Sequence, residues 1–499
     1  VLNRAPNPLI SFLHTKITHI IYVVDENRTY DQVLGDLSVG NGNPAFTTFT
    51  RPVTPNLHAL AELFVDLDNY YSVGESSGVG WNWSLEAADT DSVEKSQAVL
   101  YGNADYFGLT YDYQGTNRNV NLGMPQTSGS PNQFDVRETG LLDPTGSSSI
   151  LPGTQDIAAR ENAGDLDPGA VGGYIWDEAL RRGLTVRDYG MHIDLDYYGL
   201  SNPLEIPISR TPYASNIPQA PPTKVELFPN TDVYYRAFDQ QVPDTYRYEE
   251  WDREFNNYVA NGDLPNLEVI TLPHDHFGDF GTAIEGLDTP TLQMADNDWA
   301  FGQLVQAVSN SPYWGSTLIV HIEDDSQSGI DHVDAHRAIG FLIGPYVRHS
   351  AVVSQLYNTD TILRTIEDIL GMNHLTINDA NAPTMAAAFQ TTPDMTPYTA
   401  IIPGVLCEPP VAPDLVPACS DPSVKRTKAV RDLHDGAWWA RMTQGMNFRV
   451  PDANNDMRFN HILWLGLRGT PYPDSRNGVD YSNNRAALLA KWSSQTAGL

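Results

Sequence analysis

Cysteine is almost missing from this chain: among 499 residues there are two, Cys407 and Cys419, in a Pro-rich stretch near the C-terminal end. So few exclude a small disulfide-stapled fold and a cysteine-rich metal finger. Their close spacing in a loop predicts one local disulfide and an oxidising compartment, with two free thiols as the alternative. Basic residues are also scarce. Thirty Lys+Arg stand against 62 Asp+Glu, a formal charge of −32. That balance excludes unassisted binding to nucleic acid or to an anionic membrane surface, because phosphate contacts need cations. No stretch approaches the roughly 18 consecutive apolar residues of a membrane span. Internal repeats are absent too, and so is a signal peptide. The first residue is Val1 and not Met, which reads as a processed terminus of an exported protein.

What is present is length enough for a large core. Apolar runs rich in branched residues predict strands at Ile17–Val24, Leu184–Tyr189, Leu267–Leu272, Thr317–Ile322 and Ala338–Ile343. Helical patterns alternate with them at Asn56–Phe64, Gly173–Arg182, Thr291–Ser309 and Thr359–Leu370. This alternation predicts an α/β fold, an α/β/α sandwich around a mainly parallel sheet. Residues 100–170 and 202–229 are rich in Gly, Asn, Ser, Pro and Asp and read as surface insertions. The expected organisation is a catalytic domain over residues 1–400 carrying both insertions, with residues 401–499 as a C-terminal extension packed on it.

The chemistry gathers at strand ends. Val320-His321-Ile322 runs into Glu323-Asp324-Asp325, and His332 and His336 follow within a dozen residues. Adjacent carboxylates repel unless a cation or proton lies between them. Oxygen donors beside imidazoles suit Ca, Mg, Mn, Zn or Fe. Two other predicted strands end alike, in Asp25-Glu26-Asn27-Arg28 and in His274-Asp275-His276. Parallel strands present their ligand site beyond their carboxyl ends, so the three clusters meet in space. A fourth segment, Gly74-Glu75-Ser76-Ser77-Gly78-Val79-Gly80-Trp81-Asn82-Trp83, offers a serine at the start of a helix. Free N–H groups there favour an anion and lower a hydroxyl's pKa. An ordinary capping serine fits the same segment equally well.

Glu26-Asn27-Arg28-Thr29-Tyr30-Asp31 with Leu34-Gly35, and Asp324-Asp325 through Asp331-His332-Val333, resemble two signatures of the phosphoesterase family. That family holds phospholipase-C-type enzymes and acid phosphatases within the alkaline phosphatase superfamily. Gly74 to Trp83, Leu272 to His276 and the sequel Asp334-Ala335-His336-Arg337 look nearest its alkaline-phosphatase-like branch. The resemblance implies a divalent metal bound by Glu26, Asn27, Asp324 and Asp325, with Ser77 as nucleophile and Ser76 in reserve. It implies that Asp275, His276, His332 and His336 hold phosphoryl oxygens, protonate the leaving group or complete a second metal site. One or two ions per chain are expected, and the implied substrate is a phosphorylated small molecule or lipid head-group. Ser326 stands where the lipase-like branch has His, and this lowers the weight of a phospholipase C reading. A catalytically silent cation- or glycan-binding surface protein is the reading from another class.

Single residues carry further expectations. Arg28 and Asp31 are expected to form an ion pair, Arg337 to pair with Asp331 or Asp334 or else bind phosphate, and Asp296 and Asp298 to face solvent or cap loops. Asn27-Arg28-Thr29 and Asn82-Trp83-Ser84 match the glycan acceptor pattern inside candidate site segments. A glycan there would block access, which points to a bacterial, secreted or periplasmic protein.

Overall fold

The computed structural model describes residues 7–74, 76–89, 166–193, 206–219, 222, 225–448 and 454–473. Residues 100–165 of the first insertion, parts of the second, Glu75 and Trp492 lie outside the described residues. Among those described, the strands are β1 (His19–Asp25), β2 (Val65–Asp66), β3 (Tyr70–Tyr71), β4 (Val186–Tyr189), β5 (Leu267–Ile270), β6 (Thr317–Glu323), β7 (Gly340–Ile343), β8 (Ala351–Val352) and β9 (Tyr357–Asn358).

The central sheet runs β4-β5-β1-β6-β7. Four of its strands are parallel, and β7 pairs antiparallel with β6. Every residue of β5 and β6 is buried, and all but the first of β1. Side chains alternate between the two faces of a strand, so unbroken burial means that helices cover both faces. Helices Pro55–Leu63, Asp244–Asn261 and Pro290–Ser309 pack together, and Pro8–His14, Ser77–Glu86 and Thr359–Leu370 form a second packed group. The result is the layered α/β/α arrangement expected from the alternating pattern. Two small parallel pairs, β2–β8 and β3–β9, lie beside it.

The 18-residue helix Asp244–Asn261 carries an aromatic stripe, Tyr248, Trp251, Phe255 and Tyr258, set among charges that hid it. Buried Arg247 and Glu250 hold it beside Trp251 and Phe255. Asp296 and Asp298 are buried, not solvent-facing. They serve as caps: Asp296 accepts from the Asp244 and Thr245 amides, and Asp298 from those of Asn56 and Leu57. Cys407 and Cys419 form a disulfide. Among the described residues no helix is long and apolar enough to cross a membrane.

Candidate active site

Register decides what meets at the sheet's carboxyl edge. Asp25, the last residue of β1, lies opposite Glu323, the last of β6. Beyond β5 the chain makes a short turn, Pro273–Asp275, that sets Asp275 under β1, where its carboxylate accepts from the Glu26 amide at 3.3 Å. Glu323 accepts from the Arg28 amide at 3.1 Å. Asp25, Glu26, Asp275, Glu323, Asp324 and Asp325 are all at most 1 % exposed.

The serine segment reaches the same edge. Gly74 bridges to Asp325, and the chain then enters the helix Ser77–Glu86, with Ser76 as its extended N-cap. A Cβ on Gly80 would lie 2.4 Å from the Asp324 carbonyl oxygen, so only glycine lets this helix approach the β6 end. Ser77 Oγ donates to Asp325 Oδ2 at 3.0 Å and lies 3.3 Å from Glu26 Oε2. Asn27 Nδ2 is 3.4 Å from that same Glu26 oxygen. Asn27 itself adopts φ +74°, an uncommon conformation for a residue with a side chain, and its buried Oδ1 has no hydrogen-bond partner among the described residues. Both glycan-pattern asparagines, Asn27 and Asn82, are about 1 % exposed, so neither can carry a sugar in the folded chain.

His276 Nδ1 lies 3.2 Å from the Phe277 carbonyl, which makes that nitrogen the N–H and leaves the lone pair on Nε2. Nε2 is buried, makes no hydrogen bond among the described residues and lies 3.9 Å from Glu26 Oε2. Burial pushes its pKa down to about 4, so the ring is neutral near pH 7. A lone pair facing a carboxylate oxygen is relieved by a cation or proton between them. Burial, reinforced by the charges of Glu323 and Asp25, pushes the Asp275 carboxyl well up; burial and Asp25 do the same to Glu323.

The donor set suits a hard divalent cation: carboxylates of Glu26 and Asp325 meet at the Ser77 hydroxyl, and His276 Nε2 and the Asn27 side chain border Glu26. Asp324 is placed differently. Its Oδ1 accepts from the Asp325 amide at 2.7 Å, and Asp325 is the carboxylate in contact with Ser77.

His332 and His336 belong to a neighbouring network. His332 Nδ1 is 2.6 Å from Asp31 Oδ2, and His336 Nδ1 is 2.8 Å from Asp334 Oδ1. Arg337 binds Asp31 and Asp331 and donates to the carbonyls of Asn41 and Asp68. Asp31, Asp331 and His332 are close enough to hold an ion. The Arg337 guanidinium already supplies their positive charge, and with its nitrogens so engaged it has no spare donor for phosphate. Asp31 is therefore the partner of Arg337 and His332. The expected Arg28–Asp31 pair does not form, because Arg28 turns instead toward Asp275, Glu323, Asp325 and Glu26.

Asp25 and Glu323 stood in the expected strand-end clusters without a role of their own, and the register sets them side by side at this edge. The C-terminal part of the chain holds the loop that follows the acidic run. Gln327 and Ser328, directly after the acidic run, adopt φ +44° and +55°. Asn460, on the helix Asp456–Arg468, donates to both their carbonyls, at 2.9 and 3.2 Å.

Sequence comparison matches part of this chain to known proteins. Residues 208–373, about a third of the chain, match the sequence model of the Phosphoesterase family. The matched part carries Asp275, His276, Asp324, Asp325, His332 and His336, while Glu26, Asn27 and Ser77 lie outside it. Non-specific phospholipase C6 of Arabidopsis thaliana is 25 % identical over 189 residues, 31 % of this chain. The chain spans 36 % of that curated relative's length.

Solved structures with a similar outline include a protein in the alkaline phosphatase superfamily from Vibrio parahaemolyticus, 15 % identical with a TM-score of 0.36, covering 74 % of this chain and 70 % of that one. The phosphonate monoester hydrolase SpPMH from Silicibacter pomeroyi is 13 % identical with a TM-score of 0.33, covering 74 % and 76 %. Likeness at this level assigns no substrate.

Proposed function

We propose that this chain is a metal-dependent phosphoester hydrolase in which Ser77 is the nucleophile and a phosphoserine is the intermediate. The observation that carries the reading is the placement of Ser77 Oγ at a helix start, in hydrogen-bond contact with Asp325 and Glu26 among oxygen donors. A divalent metal held by Glu26, Asn27, Asp324 and Asp325 would supply positive charge that acidifies the serine hydroxyl and offsets the phosphoryl oxygens.

The chain's own residues do the rest. Asp325 orients the Ser77 hydroxyl and holds its proton as Oγ attacks phosphorus in line with the departing oxygen. His332, fixed through Nδ1 by Asp31, is the group proposed to protonate the leaving group from its other nitrogen. Water then cleaves the phosphoserine, and two displacements give net retention at phosphorus. Asp275, His276 and His336 are proposed to border the phosphoryl group or a second ion. Residues 1–400 are proposed as the catalytic body and 401–499 as its extension. An exported location accords with the disulfide.

A phospholipase C reading has one specific support, the name of the Arabidopsis relative. Hydrolysis of paired chromogenic phosphate monoesters and diesters, and of phosphatidylcholine vesicles, tests both readings. Turnover of the small esters with inert vesicles supports the first, and preferential release of a lipid head-group supports the second. No turnover of any of the three, with the protein folded and metal supplied, would leave the silent cation-binding reading.

A further inference from the structure

Three arginines are among the largest fully buried side chains: Arg28, Arg247 and Arg337. Two of them are fully engaged. Arg247 donates to the carbonyls of Arg236, Val242, Ala237 and Asp239 and to the Asp244 carboxylate. Arg337 is bound by Asp31, Asp331 and two carbonyls. Arg28 is the exception. Its Nε and Nη1 are buried and have no hydrogen-bond partner among the described residues. Buried guanidinium groups in folded proteins are paired and hydrogen-bonded, so these donors call for a partner that the described residues do not supply.

Geometry says where they aim. The guanidinium sits 4.4 Å over the Phe277 ring, which fixes its plane. Phe277 holds φ +64°, a rare conformation for a bulky residue of the kind that collects at ligand sites. The carboxylates that act on Arg28 electrostatically are Asp275, Glu323, Asp325 and Glu26, and the last two are the groups in contact with Ser77. A countercharge serving those acids would close on one of them, as Arg337 closes on Asp31.

We propose that Arg28 is a substrate-contacting residue whose free guanidinium N–H groups receive nonbridging oxygens of the phosphoryl group attacked by Ser77. The proposal rests on the phosphoester-hydrolase reading for the identity of the anion. Arg28 thus supplies fixed positive charge on the Phe277 side, where the developing charge on phosphoryl oxygens needs donors that do not have to reorganise.

Calorimetric titration of the metal-loaded full chain with inorganic phosphate tests it, on wild type, R28Q and R28K, with metal content and melting temperature measured alongside. A lost charged hydrogen bond predicts a phosphate dissociation constant raised about tenfold or more in R28Q, at unchanged metal content. R28K keeps the charge and is expected between the two; if R28Q does not fold, R28K is read alone and must still bind phosphate more weakly than wild type. Wild-type phosphate affinity in the folded variants overturns the proposal. So does loss of metal and phosphate together in both, which makes Arg28 a countercharge. If wild type binds phosphate through Arg28 yet hydrolyses no ester, the hydrolase reading fails and the anion site stands. If wild type is an active hydrolase and R28Q binds phosphate unchanged, only the Arg28 assignment fails.

Discussion

Ser77 and Asp325 meet through a 3.0 Å hydrogen bond between residues 248 positions apart in sequence. The bond exists because Gly80 lets the serine's helix touch the end of β6 and because the segment at Gly74 bridges to Asp325. A serine whose only task was capping would spend its oxygen on a helix amide. This hydroxyl instead donates to a buried carboxylate. Ser77→Ala is therefore expected to lower kcat by at least about 10³-fold, the scale seen when a nucleophile is removed. Ser76→Ala removes a hydroxyl that makes no capping bond, and is expected to change kcat by less than about tenfold with little change in stability. Steady-state kinetics and thermal melts on the two variants separate these outcomes; a larger kinetic loss in Ser76→Ala would exchange their roles.

Metal binding is predicted to appear as stability as well as activity. A cation that binds only the folded chain raises its stability by about 2.7 kcal/mol at 100 times its Kd. Asn27→Ala removes a buried oxygen that has no partner among the described residues, and is expected to weaken metal affinity by about tenfold or more; Ala tolerates φ +74° less well than Asn, so the metal-free melting temperature falls too, but by less than the metal-bound one. Calorimetry with and without chelator reads both. A metal-free melt lowered as much as the metal-bound one would mean that Asn27 is structural.

Asn460→Ala is expected to loosen the loop that follows Asp325. The amide caps two carbonyls of residues held in the left-handed region, and losing such buried bonds costs about 1–3 kcal/mol. Protease cleavage between residues 326 and 330 and a weaker metal Kd are the readouts. Unchanged protection of that loop would show that Thr29, which donates to the Ile330 carbonyl, suffices as its anchor.

Glu268, buried in β5 with Trp251 Nε1 donating to it, is pushed by burial from 4.5 up to about 8. The folded chain thus keeps a proton that the unfolded chain gives up near 4.5. Its contribution is complete below 4.5 and is lost as pH rises through about 8. Glu268→Gln is expected to flatten that part of the stability profile: nearly neutral at pH 5, and stabilising relative to wild type at pH 8. Denaturant melts across this range check it, and parallel profiles for the two proteins would contradict it.

How much of this could be read from sequence follows from what each signal encodes. Helix Thr359–Leu370 was legible to the residue, because Ile362, Leu363, Ile366 and Ile369 mark its buried face. The five strands of the central sheet were legible as short runs rich in branched residues, while β2, β3, β8 and β9, of two residues each, left no such run. The convergence of Asp25, Asp275 and Glu323 was partly hidden. Parallel order brings strand ends together, but only register shows that Asp25 faces Glu323. Charge pairing was the least legible. Arg28 and Asp31 are near in sequence, yet Asp31 is taken by Arg337 from 306 positions away. Helix Asp244–Asn261 escaped because its stripe, Tyr248, Trp251, Phe255 and Tyr258, is aromatic and interrupted by paired charges that are themselves buried.

The most direct test of the central claim is to mix metal-loaded enzyme with an aryl phosphate, quench in acid within one turnover, and map the adduct by mass spectrometry. The account predicts phosphate on Ser77, absent in Ser77→Ala and absent after chelation. Turnover that leaves Ser77 unmodified, or a phosphoryl group found on another residue, would contradict it.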